Sequence, residues 1–191
     1  MLEAQLHLAA DDERRSREAL AAAQKIIEPE WDSLGLNVKI EFVKALQTLG
    51  NQTEKERVTA ILLKEYADNQ DALQKIDCLL DEPTSDKNRM LVAKINKEGI
   101  AFYDSAKYSK AIESFSGALR ELPQHIGLRL NLAQALLGLL KQNPGDEAVL
   151  ARAQQTLHYI SQIIPQSHTQ YRRLRQLEEV LRTFESSKVS S

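Results

Sequence analysis

The sequence predicts an all-α fold of antiparallel helix hairpins, about nine helices in all, and three observations carry that expectation. Only 5% of the 191 residues are aromatic, with seven glycines and five prolines, and Ala, Leu, Gln, Glu and Lys dominate, as in good helix formers with small residues for close packing. Apolar residues recur at three- and four-residue spacing along most of the chain, the period of an amphipathic helix. Long β-branched runs and Asn-Gly hairpin turns are missing from the sequence, so almost no sheet is expected.

In chain order, a short apolar helix is predicted over 2–10, a charged turn over Asp11–Arg15, and a helix ending near Ile27, stopped by Glu28-Pro29. After the irregular Asp32–Gly35 stretch, Asn37 is expected to cap a helix carrying Ile40, Val43, Leu46 and Leu49, which Gly50 ends. Thr53 and Glu56 make a capping-box pattern for the next helix, with Val58, Ile61, Leu62 and Tyr66. An extra helix near 71–80 follows, broken by Asp81-Glu82-Pro83-Thr84. The pattern then sharpens into Asp86–Ala106, with Val92, Ile95, Gly99 and Phe102 on one face. Tyr108–Leu122 turns Ala111, Ile112, Phe115, Ala118 and Leu119 inward and stops at Pro123. Leu128–Leu140, the loop Gln142–Asp146, and Ala148–Ile164 before Pro165 come next. A last helix over 168–185 should cap the fold, leaving 186–191 as a flexible tail.

Self-similarity at a fixed period organises these helices. Residues 92–125 place Ile95, Glu98-Gly99 and Phe102 on a first helix, and Ala111, Phe115, Ala118 and Pro123 on a second. Those spacings resemble the tetratricopeptide repeat, which asks for Trp-x2-Leu-Gly-x2-Tyr, then Ala-x3-Phe, then Pro. Here Ile, Glu and Phe stand for Trp, Leu and Tyr, and Glu98 is expected to be exposed. Gly99 and Ala111 are expected to touch where the two helices cross, with Phe102 and Phe115 filling the adjoining gap. A divergent repeat over 126–165 carries Leu132-Ala133, Leu136, Ala153 and Leu157 and an insertion in its hairpin loop. A weaker repeat spans 36–69, a degenerate one 1–29, and the whole forms one domain over 1–185. The resemblance implies a right-handed superhelix whose first helices line a concave groove that binds another protein or peptide.

Leu79-Leu80-Asp81-Glu82-Pro83, Asn88-Arg89, Asn96-x2-Gly99, His125–Leu128 and Asn131–Leu136 also resemble the tetratricopeptide region that follows the receiver domain of some bacterial response regulators. That likeness implies a cytoplasmic two-component signalling protein, of which this chain is the C-terminal output region. No strand bearing a phosphoacceptor Asp is present for a receiver, Asp11-Asp12 included.

By the same likeness, Asn96, Ile100, Tyr103 and Asp104 face the groove from one helix, and Leu130, Asn131, Gln134 and Leu137 from the next. Thr169, Arg172, Arg173 and Gln176 face it from the last. The protein-binding candidates are Asn96, Tyr103, Asn131, Gln134, Arg172 and Arg173. Only Asn131 and Arg173 match the clamp with which chaperone cofactors of this repeat class hold a chain-terminal carboxylate, so capture of that kind is not expected. A homodimer through the terminal helices is the alternative, since Leu174, Leu177, Leu181 and Phe184 form an apolar seam.

Other function classes have little to stand on. A net charge of −2 supplies no field for nucleic acid or an anionic membrane, and the most apolar run, 132–140, is far short of a bilayer span. His7, His125, His158 and His168 lack metal-ligand spacing and read as surface or turn histidines, so neither metal nor cofactor is expected. The single cysteine, Cys78, reads as a buried small hydrophobe, Trp31 as a staple between hairpins, and the Arg14–Arg17 and Arg172–Arg175 runs as solvated faces. No nucleophile elbow, phosphate loop or acid pair marks an enzyme.

Overall fold

The computed structural model describes residues 13–189, which contain nine α-helices and no strand. The helix expected over 2–10 lies outside the described residues, as do Ser190 and Ser191. Contacts divide the chain into two compact units, Met1–Leu79 and Leu80–Ser191.

The first unit contains α1 (Glu13–Ile27), α2 (Leu36–Thr48), α3 (Gln52–Glu65) and α4 (Gln70–Ile76), with 3-10 turns at Trp31–Ser33 and Asp77–Leu79. Glu13, Arg14 and Arg15 are helical, not a turn. Both predicted caps sit too late in the chain. Gly35 starts α2, its carbonyl accepting from Val38 and Lys39 N–H at 3.0 and 3.3 Å, so Leu36 can lean on the core and Asn37 is left exposed in the first turn. Asn51, not Thr53, caps α3, accepting from Glu54 N–H at 3.4 Å. The cause is Gly50, whose φ of 71° closes α2 and hands the chain directly to Asn51. Asn51 N–H returns to the Leu46 carbonyl and Gly50 N–H to that of Gln47, both satisfying orphan acceptors.

Ile40, Phe42, Val43 and Leu46 of α2 meet Val58 and Leu62 of α3 and Ile76 and Leu79 in one core. Within it lies a lysine: Lys39 is 1% exposed, with Nζ 2.6 Å from Glu65 Oε1 and 5.1 and 5.7 Å from the ring centres of Trp31 and Tyr66. Burial alone would raise the Glu65 carboxyl, yet hydrogen bonds from Lys39 and Tyr66 outweigh it and hold the group below the ordinary carboxylate range. Trp31 also meets Phe42 edge-on at 6.4 Å. Cys78 is half-buried beside this core, and burial pushes its thiol up.

The second unit contains α5 (Asp86–Asp104), α6 (Tyr108–Glu121), α7 (Ile126–Gln142), α8 (Glu147–Ile163) and α9 (Tyr171–Val189). Helix α5 packs on α6 and α7, α7 on α6, α8 and α9, and α9 on α7 and α8. Hence α5, α7 and α9 are successive neighbours, and α7, covered from several sides, is apolar almost all round. Leu130 and Leu137, expected in the groove, are 0% and 2% exposed for that reason. Helix α9 buries Leu174, Leu177 and Leu181 against this core and continues into the segment expected as tail.

The start of each hairpin is built alike. Pro83 O accepts from Arg89 Nε at 3.2 Å and Pro123 O from Arg129 Nε at 2.9 Å, forty residues further on. Between them sit the caps, Ser85 Oγ accepting from Asn88 N–H and His125 Nδ1 from Leu128 N–H. His125, read as a surface or turn histidine, caps α7 at the end of the turn and is buried there, and burial lowers its imidazole below the usual value.

Gly99 is buried as expected. A Cβ on Gly99 would lie 2.6 Å from Phe115 Cε1, so the glycine makes room for the Phe115 ring. The ring reaches across from α6, and Ala111 is buried one turn earlier on that helix. Phe102 packs half-buried against the same core, and Glu98 is exposed.

Helix α5 ends with a non-glycine residue in the left-handed region, Ala106 at φ 56°. Lys107 N–H reaches Phe102 O at 2.8 Å and Ala106 N–H reaches Tyr103 O at 2.9 Å, the bonding a glycine usually supports at this place. Because Ala106 is exposed, Ala106→Gly loses little packing and relieves its Cβ, so a gain of about 0.5–1 kcal/mol is expected. Thermal unfolding should show a melting temperature above wild type; a lower one contradicts the strain at this cap.

Candidate functional site

The turn spacing of α7 and α9 sets two stripes facing each other. On α7 these are Asn131, Gln134, Leu137, Gly138 and Lys141, and on α9 Arg173, Gln176, Leu177 and Val180, all at three- or four-residue steps. Asn96 and Tyr103, two turns apart, belong to the neighbouring α5.

Four of the six sequence candidates form one hydrogen-bond network across these helices. Arg173 Nη2 donates to Asn131 Oδ1 at 2.6 Å and to Gln134 Oε1 at 2.7 Å, and Asn131 Nδ2 donates to Asn96 Oδ1 at 2.8 Å. A guanidinium only donates, so it fixes which way the Asn131 amide faces, and the amide nitrogen is left for Asn96. Both Nη2 hydrogens are used, whereas the N–H groups on Nη1 and Nε donate to no described residue. No described carboxylate pairs with Arg173, and burial alone lowers its affinity for a proton. Asn131, partly buried, thus bridges α5 and α9.

Tyr103, the fifth candidate, stands beside this network at the edge of a cleft of about 380 Å³ lined also by Gln134, Leu137, Gly138, Lys141, Arg173, Gln176, Leu177 and Val180. Its ring meets Tyr108 edge-on at 5.2 Å, and Tyr108 lies against Gly138, where a Cβ would come 2.7 Å from Tyr108 Cδ1. Glycine at 138 therefore lets the tyrosine pair sit down on α7. Arg172, the sixth, is exposed and outside both the network and the cleft lining. Ile100 and Asp104 are exposed on α5 and Thr169 precedes α9, all outside the lining.

Sequence reasoning missed Gly138, Lys141, Leu177 and Val180 as cleft residues. Lys141 was legible as the residue seven after Gln134, and Gly138 as a helical glycine within a leucine run, a usual mark of close approach.

A cleft of about 540 Å³ in the first unit, lined by Trp31, Phe42, Val58 and Ile61 with Glu28, Glu54 and Arg57 among its polar residues, differs in charge. Its arginine is already matched, Arg57 Nε donating to Glu54 Oε2 at 2.8 Å with Glu28 at 3.7 Å. Arg173 has no such match, which makes the second-unit cleft the stronger candidate.

Among the described residues no group of three or more His, Cys, Asp or Glu side chains is placed to hold a metal ion, and no helix is long and apolar enough to cross a membrane. The chain matches no protein-family model, and no curated protein or solved structure shows significant similarity to it.

Proposed function

We propose that the second unit is a tetratricopeptide-type protein-binding module whose α5/α7/α9 cleft holds a segment of a partner protein. The observation carrying this reading is the Asn96–Asn131–Arg173–Gln134 network: side chains from three helices converge on a guanidinium that keeps donors in reserve and has no carboxylate partner among the described residues. The hairpin pairing of Gly99 with Phe115 and the repeated Pro83 and Pro123 starts support the repeat assignment. Likeness to response-regulator output regions, read from the sequence, supports a cytoplasmic signalling role in a bacterium.

Self-association through the last helix is less well supported, because Leu174, Leu177 and Leu181 are already buried in their own unit. In affinity capture on the immobilised chain, the Asn131→Ala/Arg173→Ala double variant should lower recovery of a partner more than about tenfold, the range of an interface hot spot. Lys141→Glu, altered at an exposed side chain, should lower it without touching the fold, as checked by circular dichroism. Unchanged recovery with both variants rejects the cleft as the binding site.

A further inference from the structure

We infer that the cleft is shaped for one face of an acidic amphipathic helix, with acidic side chains seven residues apart flanking apolar ones, an inference that rests on the protein-binding reading above. Two cations mark the ends of the site. Arg173 is held level with Gln134 by its 2.7 Å hydrogen bond, and Lys141 stands seven residues after Gln134 on α7. Seven helical residues rise about 10 Å, two turns. Between the cations the lining is apolar: Leu137, Gly138, Leu177 and Val180, with Tyr103 at the side.

That order of cation, apolar floor, cation has a simple complement. On a helix lying along α7, residues i and i+7 share a face and are separated by the same rise of about 10 Å, while i+3 and i+4 point at the floor between them. Carboxylates at i and i+7 meet Arg173 and Lys141, and apolar residues at i+3 and i+4 meet Leu137 and Leu177. Among the described residues no Asp or Glu lines the cleft to compete for those cations. Asn131 and Gln134 are positioning residues: they hold one nitrogen of the guanidinium by both its hydrogens and leave Nη1 and Nε for the ligand. A single chain-terminal carboxylate would satisfy one cation and leave the other and the floor uncovered.

The test uses four acetylated and amidated alanine-based helical peptides with Leu at i+3 and i+4, bearing at i and i+7 two Glu, two Gln, Glu and then Lys, or Lys and then Glu. A fifth ligand, acetyl-leucine with a free carboxylate, represents a chain terminus. Binding to the full chain is followed by chemical shifts of the Arg173 Nε–H group and the Leu177 and Val180 methyls. The two-Glu peptide should bind about tenfold or more tightly than the two-Gln peptide, the worth of one charge-assisted hydrogen bond. Raising salt should weaken it. Lys141→Glu should reverse the order of the two-Glu peptide against the Glu-Lys peptide or against the same peptide with Lys first, according to which way the helix lies, since only the end that bears Glu can meet Arg173. Equal binding of the Glu and Gln peptides, an order unreversed for both mixed peptides in the Lys141→Glu chain, or binding of acetyl-leucine alone would each overturn the inference. Loss of peptide discrimination with partner capture still dependent on Arg173 removes only the acidic-helix assignment. Capture indifferent to Arg173 removes the cleft itself.

Discussion

Phe115→Ala is expected to lower the stability of the second unit by about 3–5 kcal/mol, the range for truncating a core aromatic. Phe115 is 1% exposed, and its ring occupies the space over Gly99 where a Cβ would come 2.6 Å from Cε1. Gly99 supplies the complementary experiment. In the wild-type chain Gly99→Ala drives a methyl into the ring and should cost about 1–3 kcal/mol. In the Phe115→Ala background the obstruction is gone, and the better helix propensity of alanine should turn the same change into a gain of up to about 1 kcal/mol. The reversal of sign is the diagnostic quantity, because independent sites would add. Urea unfolding followed by circular dichroism measures all four corners of the cycle, and an equal cost of Gly99→Ala in both backgrounds contradicts the contact.

Glu65→Ala should destabilise the first unit by about 3 kcal/mol, the lower end of the range for stripping a buried charge of its partner. Lys39 is 1% exposed and cannot reach water without moving, although the Trp31 and Tyr66 rings at 5.1 and 5.7 Å soften the loss. The partner is less confined: Glu65 remains 35% exposed, so Lys39→Met leaves a carboxylate that water can solvate and puts an apolar chain of similar length among Phe42 and its neighbours. That variant should stay within about 1 kcal/mol of wild type. Trp31 is the chain's one tryptophan and lies against Lys39, so its fluorescence reports the unfolding of this unit. Losses of equal size in the two variants would show that Lys39 and Glu65 matter only as a pair of surface charges.

Much of the local structure was legible before any coordinates. Periodicity gave the helices of the second unit to within a few residues, because each presents one apolar face, as Ala111, Ile112, Phe115 and Ala118 do on α6. Caps were read less well. Asn37 and Thr53 are good capping residues by type, but the cap falls where the preceding turn delivers the chain, and that was decided by Gly35 and by the left-handed Gly50. The site shows the same division. Asn96, Tyr103, Asn131, Gln134 and Arg173 were picked out one helix at a time, from their positions in the repeat the sequence resembles. Leu130 was misplaced because a sequence cannot say how many neighbours a helix has, and α7 packs against four helices, α5, α6, α8 and α9.

What the sequence determined by itself is therefore the inventory: helices, their apolar faces, and the small and large residues at Gly99 and Phe115 that must meet something. Tertiary structure decided the pairings. It put the Phe115 ring against Gly99, drew Lys39 into an aromatic core with Glu65, and joined Asn96, Asn131, Gln134 and Arg173 across three helices. Periodicity is a property of one helix and is written in adjacent residues, whereas a partner 35 or 42 positions away depends on how helices pack, which no local pattern encodes.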